Sequence, residues 1–147
     1  MATSLAKRMV RYSFVNVVKN NELESFLQNK GSDMNYIIYT PSARKLKDEI
    51  LARVSAKVDG NGIGITTWQC VETDSGDKVL VLTEGQWAEK GCVTITQSAG
   101  SNKLQVRFFY WETCDVRENG DDKFMLSRFT ELLLVHFSYF ADKIVIE

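Results

Sequence analysis

Apolar residues recur at two different periods along this chain. Over residues 41–58, Ala43, Leu46, Ile50 and Val54 lie three or four positions apart, while Arg44, Lys45, Lys47, Arg53 and Lys57 fill the other side. That spacing predicts an amphipathic helix with one buried face. Thr40 and Pro41 stand ahead of it as cap and first helical residue, a place where proline's missing N–H costs nothing. "DGNG" (59–62) stops it, and "MNYIIYT" (34–40) before it has the composition of a short buried strand.

The period then changes to two. Four strands are predicted at 63–72, 78–84, 92–97 and 103–112. "TDSGD" and "SAGSN" are hairpin turn signals, and "EGQWAEKG" links the two hairpins, so an antiparallel meander is the economical topology. On 103–112, Leu104, Val106, Phe108 and Tyr110 share one face, and Gln105, Arg107, Phe109 and Trp111 the other. On 63–72, Ile63, Ile65, Thr67 and Val71 oppose Trp68 and Cys70. Both faces of the sheet therefore carry apolar side chains. Either the helices and the first 33 residues cover both, or one face forms a groove in which Trp68, Phe109 and Trp111 surround Arg107, poised for an anion or carboxylate.

A last helix is predicted over 122–141, capped by Asp121 or Asp122. Leu126, Phe129, Leu133, Phe137 and Phe140 form one stripe, and Met125, Leu132 and Tyr139 a second. A helix this apolar needs cover on two sides or a partner. "KIVIE" can follow as a short edge strand. Residues 1–33 mix helical and strand patterns, with "NELESFLQN" a short helix, and form a partly helical, peripheral N-terminal segment. The fold class expected is thus α+β: a single domain over 1–147, with a four-stranded antiparallel meander flanked by an amphipathic helix and a long apolar C-terminal helix.

Charge changes this picture only in its distribution. Residues 1–58 hold ten Lys/Arg against five Asp/Glu, and residues 59–122 hold five against eleven. The basic front and acidic middle either match each other within the chain or mark a partner surface. Three cysteines in no CxxC pair and a single histidine argue against a disulfide framework or zinc site, and fit a reducing, cytoplasmic setting. No apolar run approaches the roughly 20 residues of a membrane span. The first 21 residues are basic and acid-free, as organellar transit peptides are, which leaves an organelle as the alternative location.

Motifs with chemistry are scarce. "GNGIG" (60–64) precedes a strand and lacks a third glycine, so it reads as a turn and no phosphate cradle. "DVRENGD" (115–121) places a glycine as a calcium loop does, but Arg117 and Leu126 occupy ligand positions. His136 beside a cysteine could serve as a base, yet its apolar neighbours suit a satisfied, half-buried histidine. Asp121 and Asp122, like Glu72 and Asp74, fall in turns where carboxylates cap and solvate. The basic helix has no aromatic residue and the middle of the chain is acidic, which opposes nucleic-acid binding.

The expected function is a non-catalytic protein-binding module of immunity, inhibitor, chaperone or adaptor type. It would act through an acidic loop patch (Asp74, Asp77, Glu84, Glu89) or through sheet aromatics (Trp68, Phe109, Trp111) with Arg107. The partner would be another protein, with a homodimer as a special case, and neither nucleic acid nor membrane. No catalytic residue, metal or cofactor is expected. The alternative is a small-molecule binder or cofactor-free enzyme, with a pocket between sheet and helix lined by Trp68, Cys70, Phe109 and Trp111.

Overall fold

The computed structural model describes residues 36–97, 100–138 and 143–146. The expectations for 1–33 lie outside these residues. The elements in chain order are β1 (Tyr36–Tyr39), α1 (Ala43–Ala56), β2 (Trp68–Glu72), β3 (Lys78–Leu82), α2 (Gly85–Ala88), β4 (Gly91–Gln97), β5 (Lys103–Tyr110), α3 (Asp121–His136) and β6 (Lys143–Ile146). The architecture is α+β with one antiparallel sheet, ordered β2-β3-β4-β5-β1-β6.

The four-strand meander is present as one end of a larger sheet. Two short strands extend it: β1 lies against β5, with Tyr36 opposite Val106, and β6 lies against β1, with Tyr36 opposite Ile146. The expected four-stranded sheet is corrected to six, because both "YIIY" and "KIVI" find partners remote in sequence. β2 begins at Trp68 rather than at 63, because residues 59–65 fold into a compact loop around Asp59. There Asp59 Oδ1 accepts the N–H groups of Asn61 and Ile63 at 2.8 and 2.9 Å, and the Ile65 N–H reaches the Lys57 carbonyl.

Both long helices pack on the same face of the sheet. From α1, Ala43, Leu46, Ile50 and Val54 are buried, as their spacing implies. Burying Leu, Ile and Val side chains of this kind contributes about 1.5–3 kcal/mol each. They meet Trp68, Leu80, Leu82, Val93, Ile95, Leu104, Val106 and Phe108, together with Met125, Leu126, Phe129, Leu132 and Leu133 of α3. The cap of α1 is Ser42, two residues later than expected, and the helix ends at Lys57, a non-glycine residue in the left-handed conformation (φ 64°). α3 stops at His136 and does not run to 141, with Phe137 buried just beyond it in a non-helical conformation. Gly120, at φ 92°, precedes α3 in place of an aspartate cap.

The opposite face holds a second, smaller cluster. Val79, Val81, Cys92, Phe109 and Trp111 are buried there with Ala88 of the single-turn helix α2, and the Trp111 indole donates to the Ala88 carbonyl at 2.8 Å. Gly91 opens β4, opposite Tyr110 of β5. A Cβ there would run into the Phe109 carbonyl oxygen and lie 2.8 Å from the Phe108 ring.

Candidate functional site

The expected aromatic group does not assemble. Trp68 belongs to the helix-covered face, edge-on to Phe129, while Phe109 and Trp111 lie on the other face of the sheet. Alternation within each strand is as the sequence implies, but pairing decides which faces join: Trp68 opposes Leu82, and Phe109 opposes Cys92. Arg107 does share the Phe109 face. It is half-buried opposite Thr94, and in the satisfied orientation of the Gln105 amide its guanidinium donates to the Gln105 oxygen. Cys70 lies against the main core, so no common pocket joins Trp68 and Cys70 to Phe109 and Trp111.

The acidic patch also divides. Asp74 and Asp77 sit in the β2–β3 turn, where Ser75 donates to Asp77 at 2.9 Å. Glu84 and Glu89 flank α2 at the far end of β3, about 16 Å along a five-residue strand. The α2 end is the more elaborate. There an open groove of about 610 Å³ is lined by Gln86, Glu89, Lys90, Thr113, Cys114, Asp115, Val116 and Glu118. Glu89, Asp115 and Glu118 are exposed, and Val116 is 62% exposed on the same wall. Beside the groove the rings of Trp87 and Phe124 stack at 4.1 Å, joining α2 to the start of α3.

Lys90, the cation among these lining residues, is already committed. Its ammonium donates to both oxygens of Asp121 at 2.9 and 3.0 Å and lies 5.0 Å from the Trp87 ring centre. Asp121 also accepts the Tyr110 hydroxyl at 2.8 Å and the Glu118 N–H at 2.9 Å. Burial pushes the Asp121 carboxyl up, but the Glu118 N–H, Lys90 and Tyr110 outweigh it and hold the group below its ordinary value. Burial, then the hydrogen bond and charge of Asp121, push the Tyr110 phenol well above its own. Arg117 is likewise occupied, with its Nε on the Cys114 carbonyl and its guanidinium 4.7 Å from the Tyr110 ring centre. Asp121, read from the sequence as a solvated turn residue, is therefore corrected to the centre of a buried ion pair.

A second buried pair lies at the other end of α3. His136 Nδ1 is 2.6 Å from Asp59 Oδ2, and both residues are buried. Asp59 Oδ1 accepts two loop N–H groups, and an ionised carboxylate can only accept, so the contact with Oδ2 calls for the ring proton on Nδ1. The hydrogen bond from His136 outweighs desolvation and, with the Ile63 and Asn61 amides, lowers the Asp59 carboxyl below its ordinary value. A small cleft of about 170 Å³ opens beside the ring, lined by Gly64, Thr66, Thr67, Trp68, Arg128, Glu131, Leu132, Val135 and His136.

Sequence reasoning identified His136 as half-buried but missed its partner, 77 residues away. The signal available was local: an aspartate in "DGNG", whose short side chain can hold its own turn. Among the described residues no group of three or more His, Cys, Asp or Glu could hold a metal ion, and no helix is long and apolar enough to cross a membrane. Cys70, Cys92 and Cys114 are not joined to one another by a disulfide. No protein-family model, curated protein or solved structure matches this chain.

Proposed function

We propose that the chain is a non-catalytic protein-binding module of adaptor or inhibitor type, and that its groove beside α2 receives a basic segment of a partner protein. One observation carries this reading. Glu89, Asp115 and Glu118 face solvent around the groove, while the lysine among its lining residues is neutralised by Asp121. Glu84 extends the same acidic end, and Val116, Trp87 and Phe124 supply the apolar contacts on which binding energy concentrates. A basic segment would be steered by the acidic rim and anchored by the aromatic stack.

The test is titration with a short lysine- and arginine-rich peptide, followed by backbone amide shifts. The largest shifts are expected at 84–90 and 112–118. Glu89→Lys with Glu118→Lys should weaken binding by at least about tenfold, as the loss of two favourable charge contacts implies. Glu72→Lys with Asp74→Lys makes the same change in net charge at the β2–β3 turn, the end of β3 away from the groove, and should change binding less than about twofold, since charges that far apart are screened. Equal losses from the two double variants would mean that the peptide senses net charge alone, and the groove reading would fail.

A further inference from the structure

We infer that the cleft between residues 64–68 and α3 is a binding site for a tetrahedral oxyanion, the phosphate or sulfate group of a small molecule, held between His136 and Arg128. His136 is 91% buried, since only 9% of it is exposed, and Asp59 accepts the hydrogen bond from its Nδ1. The other ring nitrogen, Nε2, makes no hydrogen bond among the described residues, and the residue lines the cleft. A histidine so deeply placed, with one nitrogen tied to a carboxylate and the other left toward a cavity, is a prepared donor whenever the ring is protonated. It also stands in the C-terminal turn of α3.

Arg128 lines the same cleft and forms no ion pair among the described residues. It stands eight residues before His136, about 12 Å along the helix axis, a gap that the two side chains and one phosphate between them can bridge. Thr66 and Thr67 line the opposite wall. Their hydroxyls make no hydrogen bond among the described residues, while their carbonyls accept from the hydroxyl and backbone N–H of Thr83. Hydroxyls set against a guanidinium and an imidazolium suit the four oxygens of a tetrahedral anion better than a planar carboxylate. A volume of about 170 Å³ admits such a group, with any carrier extending toward the open side of the cleft.

The remaining charges fix the sign of the test. Asp59 lies behind the ring and Glu131 lines the cleft beside it, while Lys57, on the neighbouring loop, donates to the Trp68 carbonyl at 3.0 Å. Glu131 opposes an anion and would assist a cation. The chain has one histidine, so its ring resonances are unambiguous.

The experiment is titration of the full chain with sodium sulfate at constant ionic strength, read from the His136 ring resonances, with sodium chloride and sodium acetate as controls. Saturable shifts with sulfate are expected, tighter when the ring is protonated than when it is neutral because only the imidazolium has an Nε2 proton to give. Arg128→Gln should weaken binding at least about tenfold, and Glu131→Gln should tighten it several-fold. Both positions are at the helix surface, so the fold survives either change. Ring resonances that respond no more to sulfate than to chloride would overturn the proposal. So would an undiminished response in Arg128→Gln, or weaker binding in Glu131→Gln, the mark of a cation site.

Discussion

The two ends of α3 are built from the same parts and finished differently. At the N-terminal end Asp121 is tied to Lys90, Tyr110 and the Glu118 amide; at the C-terminal end His136 is tied to Asp59. Each end places the charge that the helix dipole favours there, acid first and base last. Each also clamps a loop that the strands alone would leave loose: 111–120 at one end, 57–67 at the other. The N-terminal cluster closes on itself, since every oxygen of Asp121 and the Lys90 ammonium has a partner. The C-terminal pair keeps one ring nitrogen open beside a cleft. Closure is what a structural ion pair needs, and an open polar atom in a cavity is what a ligand site needs.

The largest effect should come from breaking the closed cluster. Lys90→Met leaves the buried Asp121 without its cation and should cost about 3–5 kcal/mol, read as a fall in melting temperature on the order of 10 °C. Replacing the whole cluster with Lys90→Met, Asp121→Leu and Tyr110→Phe should recover much of that loss, because the Lys90 and Asp121 charges are then both gone and neither is left buried without the other. If the triple variant is no more stable than Lys90→Met, the cluster contributes more than mutual compensation.

The open pair should show itself through pH. The Asp59 carboxyl is lowered in the folded chain, so its contribution is complete above the unfolded value of about 3.9 and is lost as pH falls through the folded one. Asp59→Asn should therefore melt below the parent at neutral pH, with the gap closing as the solution is acidified below about pH 4. A gap that stays constant down to pH 2 would mean that the carboxylate does not hold the histidine in the way described. The smallest effect belongs to the middle of the helix, where the Tyr36 hydroxyl meets Thr130 at 2.7 Å. Tyr36→Phe should cost only about 0.5–1.5 kcal/mol, measured by denaturant unfolding.

What could be read from the sequence follows the range of the interactions. The α1 stripe, the β2–β3 and β4–β5 hairpins and the edge strand Lys143–Ile146 rest on spacing and turn chemistry within a few residues, and the structure contains each of them. The place of β1 between β5 and β6 was not legible, because its partners lie more than 60 residues away in sequence. Trp68 was grouped with Phe109 for the same reason: alternation assigns faces within a strand, and register between strands joins them. The end of α3 was hidden because Phe137 is buried outside the helix and continues the apolar pattern of a residue within it. Both ion pairs were invisible, since nothing local marks Lys90 for Asp121 or Asp59 for His136. Of the candidate site, the acidity of the α2 end was legible in Glu84 and Glu89, but the groove that gives it shape needs the 113–118 loop folded beside it.

The contrast between a closed and an open end rests on the state of one ring. The most direct measurement is the ¹⁵N spectrum of the His136 imidazole above the pH at which it is neutral. A proton on Nδ1, slow to exchange, with Nε2 bare and responsive to solvent, is the expected result. A ring with its proton on Nε2 and Nδ1 bare would contradict it, for Asp59 would then accept nothing from the histidine.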